Sequence, residues 1–198
     1  VQVGSNIGGV GTLKLVANDV FLSGPKFANA SVVDLYNGSK LDLNGFNDTM
    51  RLVRGMGSVV NTGPGTPNLT IGTNNEVEVI GGNLAGSFNL TVGGSVTNLF
   101  GTGATINSAE LWNNNNAQFT GKFIVNAGGL RVRADGTLGS ATEPFKADKI
   151  TLNNGAVLLS AGGNPVVLGA NHGITLGASG GTIWQFGTTA MVVNSPIT

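Results

Sequence analysis

Residues 68–92 read NLTIGTNNEVEVIGGNLAGSFNLTV. Leu69-Thr70-Ile71 and Leu90-Thr91-Val92 each put two apolar side chains on one face and a polar one on the other. That is the mark of a short, half-buried strand. Gly and Asn fill the interval between the two triplets. The pattern recurs at Leu13-Lys14-Leu15, Leu41-Asp42-Leu43, Leu130-Arg131-Val132, Ile150-Thr151-Leu152 and Ile174-Thr175-Leu176. The step from Leu69 to Leu90 is repeated from Leu90 to Leu111 and from Leu111 to Val132. Leu130 to Leu152 and Leu152 to Ile174 are longer by a single position. A recurring period in the low twenties marks a repeat architecture. No window of a dozen residues carries a helical stripe, and residues 142–149 have room for one turn at most.

Two or three short strands per period, with no helix, predict an all-β chain. The expected fold is a right-handed parallel β-helix, or β-solenoid, of about nine coils of roughly 21–22 residues. At the usual strand spacing nine coils make a rod about 43 Å long. One coil cannot bury its own apolar face, but a stack of coils shares a continuous core. Leu, Ile, Val and Phe are expected inside, with Thr, Asn, Lys and Arg outside. Asn37-Gly38, Asn44-Gly45, Asn154-Gly155 and the Asn run 113–116 are the expected corners. Gly and Asn tolerate the positive φ that corners need, and stacked Asn amides can hydrogen-bond along the axis. The chain reads as a single domain over 1–198. It is less regular in 1–68, where longer loops around Pro25 and residues 63–67 absorb extra length, and regular in 69–198. The competing reading is an antiparallel sandwich in which the Asn-Gly pairs are hairpin turns. Hairpin spacing, however, does not hold a fixed period in the low twenties.

Composition narrows the function. Only 10% of the 198 residues are charged, against about 25% in ordinary soluble domains. Ten basic residues balance ten acidic ones, so no long-range field draws nucleic acid or an anionic membrane. There is no cysteine, hence no disulfide and no thiol chemistry. No apolar run approaches the roughly 20 residues of a membrane-spanning helix. The sequence starts at Val1 and its first Met is Met50, which leads to the expectation of a processed chain or excised segment.

Residues 119–156, FTGKFIVNAGGLRVRADGTLGSATEPFKADKITLNNGA, carry a family likeness. Thr120-Gly121, Val125-Asn126-Ala127-Gly128, Leu138-Gly139 and Ile150-Thr151-Leu152-Asn153 fall at the places of a known pattern. The stretch resembles the autotransporter-associated β-strand repeat. LDLNGFNDTMRLVRGMGSVVNTG from Leu41 and LGANHGITLGASGGTI from Leu168 look similar to such proteins as well. Phe119, Lys122 and Phe123 stand where the pattern has Thr or Tyr. The resemblance implies a parallel β-helix in a large secreted or surface-anchored bacterial protein, serving as stalk, adhesin or passenger region. It brings no catalytic residues and no cofactor. Val3, Ser5 and Ile7 match Val193, Ser195 and Ile197 in two short stretches near the ends. This suggests that both ends lie at the same phase of a coil. The expected partners are therefore further coils of the same polypeptide or identical subunits stacked head-to-tail, with surface glycans as possible ligands.

Candidate sites are few. Glu76 and Glu78 share a strand face, as paired carboxylates for glycoside hydrolysis would, but Val77 and Val79 alternate with them and make the pair a solvated outer face. The same period sets Glu110 beside Arg131 as a surface ion pair. Arg131 and Arg133 share a face that could meet an anionic sugar or simply water. His172, the only histidine, sits in a Gly/Asn-rich turn without a nucleophile motif. One His and no Cys argue against a transition-metal site. Trp112, Trp184 and Tyr36 could stack on sugars or close the core. Thr70, Thr91, Thr151 and Thr175 suggest an outward threonine row, which Glu110 and Arg131 are expected to interrupt. The chain is accordingly expected not to be an enzyme.

Overall fold

A computed structural model describes residues 1–5, 8–21, 32–72, 78–93, 96–97, 105–106, 108–113, 115–160, 164–185 and 190–198. Its strands form three long faces. The first has eight strands, in the order Gln2–Val3, Val32–Leu35, Leu52–Gly55, Glu78–Ile80, Ser108–Leu111, Gly129–Val132, Ala156–Ser160 and Gly181–Trp184. The second has four: Thr12–Lys14, Lys40–Asp42, Ser58–Val60 and Leu84–Ala85. The third has six: Asp48–Thr49, Asn68–Ile71, Asn89–Val92, Phe123–Val125, Lys146–Leu152 and His172–Leu176. Every pairing within these faces is parallel, and each strand's neighbour comes from the next coil. The chain is a parallel β-solenoid, and the antiparallel sandwich is excluded. Among the described residues one antiparallel pair occurs, Val96–Thr97 with Thr105–Ile106, outside the three faces.

The three faces hold eight, four and six strands, so the turns number about six rather than nine. The reason lies in the register. Leu69 does pair with Leu90, but Leu90 pairs with Phe123 and Leu111 with Ile80. Leu130 pairs with Leu158, whereas Leu152 belongs to the third face beside Val125. The spacing in the low twenties thus counts one coil in some steps, as from Leu69 to Leu90, and passes between faces in others, as from Leu90 to Leu111. True coils vary in length on both sides of residue 68. Leu69 and its partner Leu90 are 21 residues apart, but Phe123 and its partner Ile150 on the same face are 27 apart.

The core matches the expected alternation. Leu41, Leu43, Leu69, Ile71, Leu90, Phe123, Leu130, Ile150, Leu152 and Ile174 are all buried in one continuous cluster. Phe119 meets Phe88 of the neighbouring coil edge-on and Phe123 of its own coil at a tilt, each with ring centroids 5.0 Å apart. Asn44-Gly45 and Asn154-Gly155 both take positive φ, and Gly38 does too, so these pairs are corners as expected. Gly121 is required for another reason. A Cβ there would lie 1.5 Å from the Phe88 carbonyl oxygen, so adjacent coils approach as closely as backbone allows. The Asn ladders also form: the Asn89 amide donates to Asn68 and the Asn153 amide to Asn126, both at 2.9 Å. Buried Asn116 ties three coils together, accepting from the Leu84 N–H at 2.9 Å and donating to the Thr137 carbonyl at 2.7 Å.

Asp42 shows how an outward acid becomes structural. One carboxylate oxygen accepts the Asn44 and Thr62 N–H groups at 3.0 Å, and the other accepts the Thr62 hydroxyl at 2.6 Å. Burial pushes its carboxyl up, but these donors and Lys14 outweigh that and hold it below its ordinary 3.8. A lowered folded value means stability that is present above the ordinary value and lost as pH falls through the folded one. Asp42→Asn is expected to cost about 1–3 kcal/mol at neutral pH, measured by urea unfolding. The gap from wild type should close in acid, below pH 3.8. Asp48, whose burial pushes its carboxyl up, is common to both proteins and cancels in the comparison.

Candidate functional site

Four ionisable side chains from three neighbouring stretches, Asp135, Glu143, Lys149 and His172, meet inside the solenoid. Asp135 opens a short 3-10 turn, Asp135–Thr137. Its Oδ1 accepts the Gly169 N–H at 2.7 Å and faces His172 Nδ1 at 2.8 Å. Glu143 lies in the turn that follows, its N–H donating to the Ser140 carbonyl at 3.1 Å. Lys149 comes from the strand Lys146–Leu152, whose register shifts between Lys146 and Ile150. A bulge of this kind re-aims a side chain, and it accounts for a lysine on the core side of a strand. His172 begins the next strand of the same face.

The geometry is tight. Lys149 Nζ is 2.6 Å from Glu143 Oε1, and His172 Nε2 is 3.0 Å from the same oxygen. Lys146 Nζ donates to Glu143 Oε2 at 2.8 Å. Lys149 and His172 side chains are both 0% exposed. Lys149 Nζ also sits 4.9 Å from the centre of the Phe119 ring. Nevertheless, Glu143 Oε1, Lys149 Nζ and His172 Nε2 make no aligned hydrogen bond. These atoms are close together but not in donor–acceptor directions. Gly139, at φ +142°, completes the fit: a Cβ there would lie 2.8 Å from Lys149 Nζ and 2.9 Å from Glu143 Oε1.

Electrostatics follow from burial. Desolvation pushes the Lys149 ammonium down from its ordinary value, against the pull of Glu143. Burial pushes the Glu143 carboxyl up, and Lys146 and Lys149 outweigh it, so the net direction is down. Asp135 and Lys146 keep partial exposure, at 19% and 26%, so the edge of the cluster reaches solvent. Chemically, the group holds an amine, a carboxylate and an imidazole backed by a second carboxylate.

The sequence reading singles out none of Asp135, Glu143 and Lys149, and places His172 in a turn. In the structure His172 is buried and begins a strand. No linear motif joins the four, because coils of unequal length bring them together. The one sequence signal is the adjacent charged pair Asp148-Lys149 between Ala147 and Ile150, which breaks the alternation of its strand.

The other candidates fall as follows. Glu76 lies outside the described residues, and Glu78 opens a strand of the first face. Glu110 stands in register beside Arg131. Its carboxylate is 3.8 Å from Arg131 and 3.1 Å from Arg133, so both arginines share one face. Trp112 is 45% exposed, with the Arg133 guanidinium 4.7 Å above its ring. Trp184 packs instead on Val157 and Leu159. Tyr36 lines an open groove of about 800 Å³ with Gln2, Asp34, Arg54 and Met56. The threonine row is real and differs from expectation. Thr49, Thr70, Thr91, Ile124, Thr151 and Thr175 align in register on the third face. Glu110 and Arg131 lie on the first face and do not interrupt it; Ile124 does. Among the described residues no group of three or more His, Asp or Glu is arranged to hold a metal ion. No helix among them is long and apolar enough to cross a membrane.

No family model, no curated protein and no solved structure matches the chain. The likeness to the autotransporter-associated repeat therefore rests on the quoted residues alone.

Removing one partner of a buried pair strands the other charge. Glu143→Ala is expected to destabilise the fold by about 3–5 kcal/mol, read by chemical denaturation. Adding Lys149→Met should recover most of that loss.

Proposed function

We propose that the chain is a non-catalytic structural or adhesive β-solenoid segment of a bacterial extracellular or cell-surface protein. The observation that carries this reading is that the apolar core runs through every coil and remains open at both extremes. Leu13 and Phe21 in the first coil, and Ile183, Met191 and Val193 in the last, pack on the core yet stay only partly buried. Val10 and Val16 are exposed beside the former, Val192 and Ile197 beside the latter. Terminal rungs also present unpaired strand edges, which are templates for another strand. A further coil of like construction, from the same polypeptide or from another copy, would cover both features. The resemblance to autotransporter-associated repeats supports the surface location and the stalk or adhesive role.

A second reading, a carbohydrate-binding or polysaccharide-degrading module, is favoured by the groove beside Tyr36. An aromatic ring next to the Asp34–Arg54 pair, 2.5 Å apart, is a surface on which a sugar could stack. Cleavage of any polysaccharide by the purified chain would contradict the non-catalytic reading.

Copies of this chain present the same two ends to each other. Negative-stain microscopy over rising concentration is therefore expected to show rods that lengthen. Val193→Lys, which puts a charge on the terminal edge, should keep them short. Monomers alone at every concentration would overturn stacking through the ends.

A further inference from the structure

Lys149 and Glu143 are not arranged as an ordinary buried ion pair. An ion pair sealed from water is held by aligned hydrogen bonds that satisfy its remaining protons and lone pairs. Here Nζ approaches Oε1 to 2.6 Å without such alignment. The amine also faces the Phe119 ring, 4.9 Å from its centre. His172 Nε2 touches the same carboxylate oxygen and is equally unaligned. The carboxylate's second oxygen is held separately by Lys146. An amine, an acyl group, a proton carrier and an oxygen-binding cation thus surround one carbon.

We infer that this cluster is a self-modifying site at which Lys149 and Glu143 condense into a side-chain amide. A proton first passes from the Lys149 ammonium to Glu143 Oε1, 2.6 Å away, leaving a neutral amine and a carboxylic acid; the Lys149 nitrogen then attacks Cδ of Glu143, forming the new C–N bond. Oε2 takes up the developing negative charge beside Lys146, in the manner of an oxyanion site. His172 Nε2 accepts a proton from the attacking nitrogen and returns it to Oε1. The Cδ–Oε1 bond then breaks. The ammonium gives up two protons in all, Oε1 takes both, and one water leaves. No oxidant, reductant or co-reactant is needed. Asp135 is a positioning residue, fixing the imidazole through Nδ1 at 2.8 Å. The burial that lowers the Lys149 ammonium favours the neutral amine that must attack.

The driving force is desolvation. The reactants are two charges in a nearly water-free space; the product is a neutral amide. Removing a buried ion pair relieves the desolvation cost carried by each ion. A chain without cysteine has no disulfide with which to lock a coil, and an amide between Glu143 and Lys149 would pin the bulged turn covalently. The site is independent of whether copies stack end to end.

Mass spectrometry of the purified, folded chain tests this directly. The intact protein is expected to be lighter than its residue sum by one water. Trypsin should yield residues 134–146 joined to residues 147–198, because linked Lys149 is no longer a cleavage site. Lys149→Met should have its full residue mass. Glu143→Gln should link with loss of ammonia in place of water. His172→Gln should slow linkage about a hundredfold or more, followed by mass after fresh refolding. Folded wild type at full mass, with residues 150–198 released free by trypsin, would overturn the proposal. So would a water loss that persists in Lys149→Met. Linkage at the wild-type rate in His172→Gln would overturn the role given to His172.

Discussion

Everything in this molecule depends on parallel pairing between coils. A strand of three or four residues has too little apolar surface to be buried alone, and no coil here closes a core of its own. When the backbone of one coil hydrogen-bonds in register to the next, equivalent side chains are forced into rows about 4.8 Å apart. Leu69 over Leu90 and Phe123 over Ile150 are such rows inside, and Thr70 over Thr91 is one outside. The inward rows merge into one core. The same constraint explains Gly121, whose neighbour coil leaves no space for a side chain, and Asn116, whose amide serves the coils on either side.

Uniform stacking is interrupted where coils differ in length, and that is where chemistry gathers. The bulge in the strand Lys146–Leu152 breaks the row that would have placed an apolar residue inward. Lys149 enters instead, and Glu143, Lys146, His172 and Asp135 assemble around it. A second irregularity has a different character. The strand Ala156–Ser160 is buried on both faces, with Val157 and Leu159 at 0% exposure on the side away from the core. An unbroken apolar run marks a strand covered on both sides. Its neighbours in the row, Arg131 and Glu110, are themselves well shielded.

Much of the fold was legible because period-2 alternation and Asn-Gly corners are local signals. The inward set and the corners at Asn44 and Asn154 follow from short stretches of sequence. Coil count was not legible, because three faces carry similar triplets. Leu90 and Leu111 have the same local pattern but belong to different faces, and nothing between them says which face each joins. The charged cluster was illegible for a related reason. Asp135 and His172 stand 37 residues apart, and their meeting depends on the lengths of the intervening turns. Glu110 beside Arg131 could be read because that coil keeps the shorter length. The threonine row is legible in part, but its interruption by Ile124 is not, because Glu110 and Arg131 have the same spacing and lie on another face.

A stack of this kind resists bending because each rung is bonded to two others. The surface-exposed, stalk-like role proposed above draws on that stiffness. The central claim, that successive coils lie directly over one another, can be measured as a distance. The cysteine-free chain accepts spin labels cleanly at introduced cysteines on the threonine row. Labels at Thr49 and Thr91 are two rungs apart and labels at Thr49 and Thr175 are five, giving backbone separations of about 10 and 24 Å. Pulsed dipolar spectroscopy should find the separation rising in proportion to rungs. A Thr49–Thr175 separation no longer than that of Thr49–Thr91 would contradict the stacked solenoid.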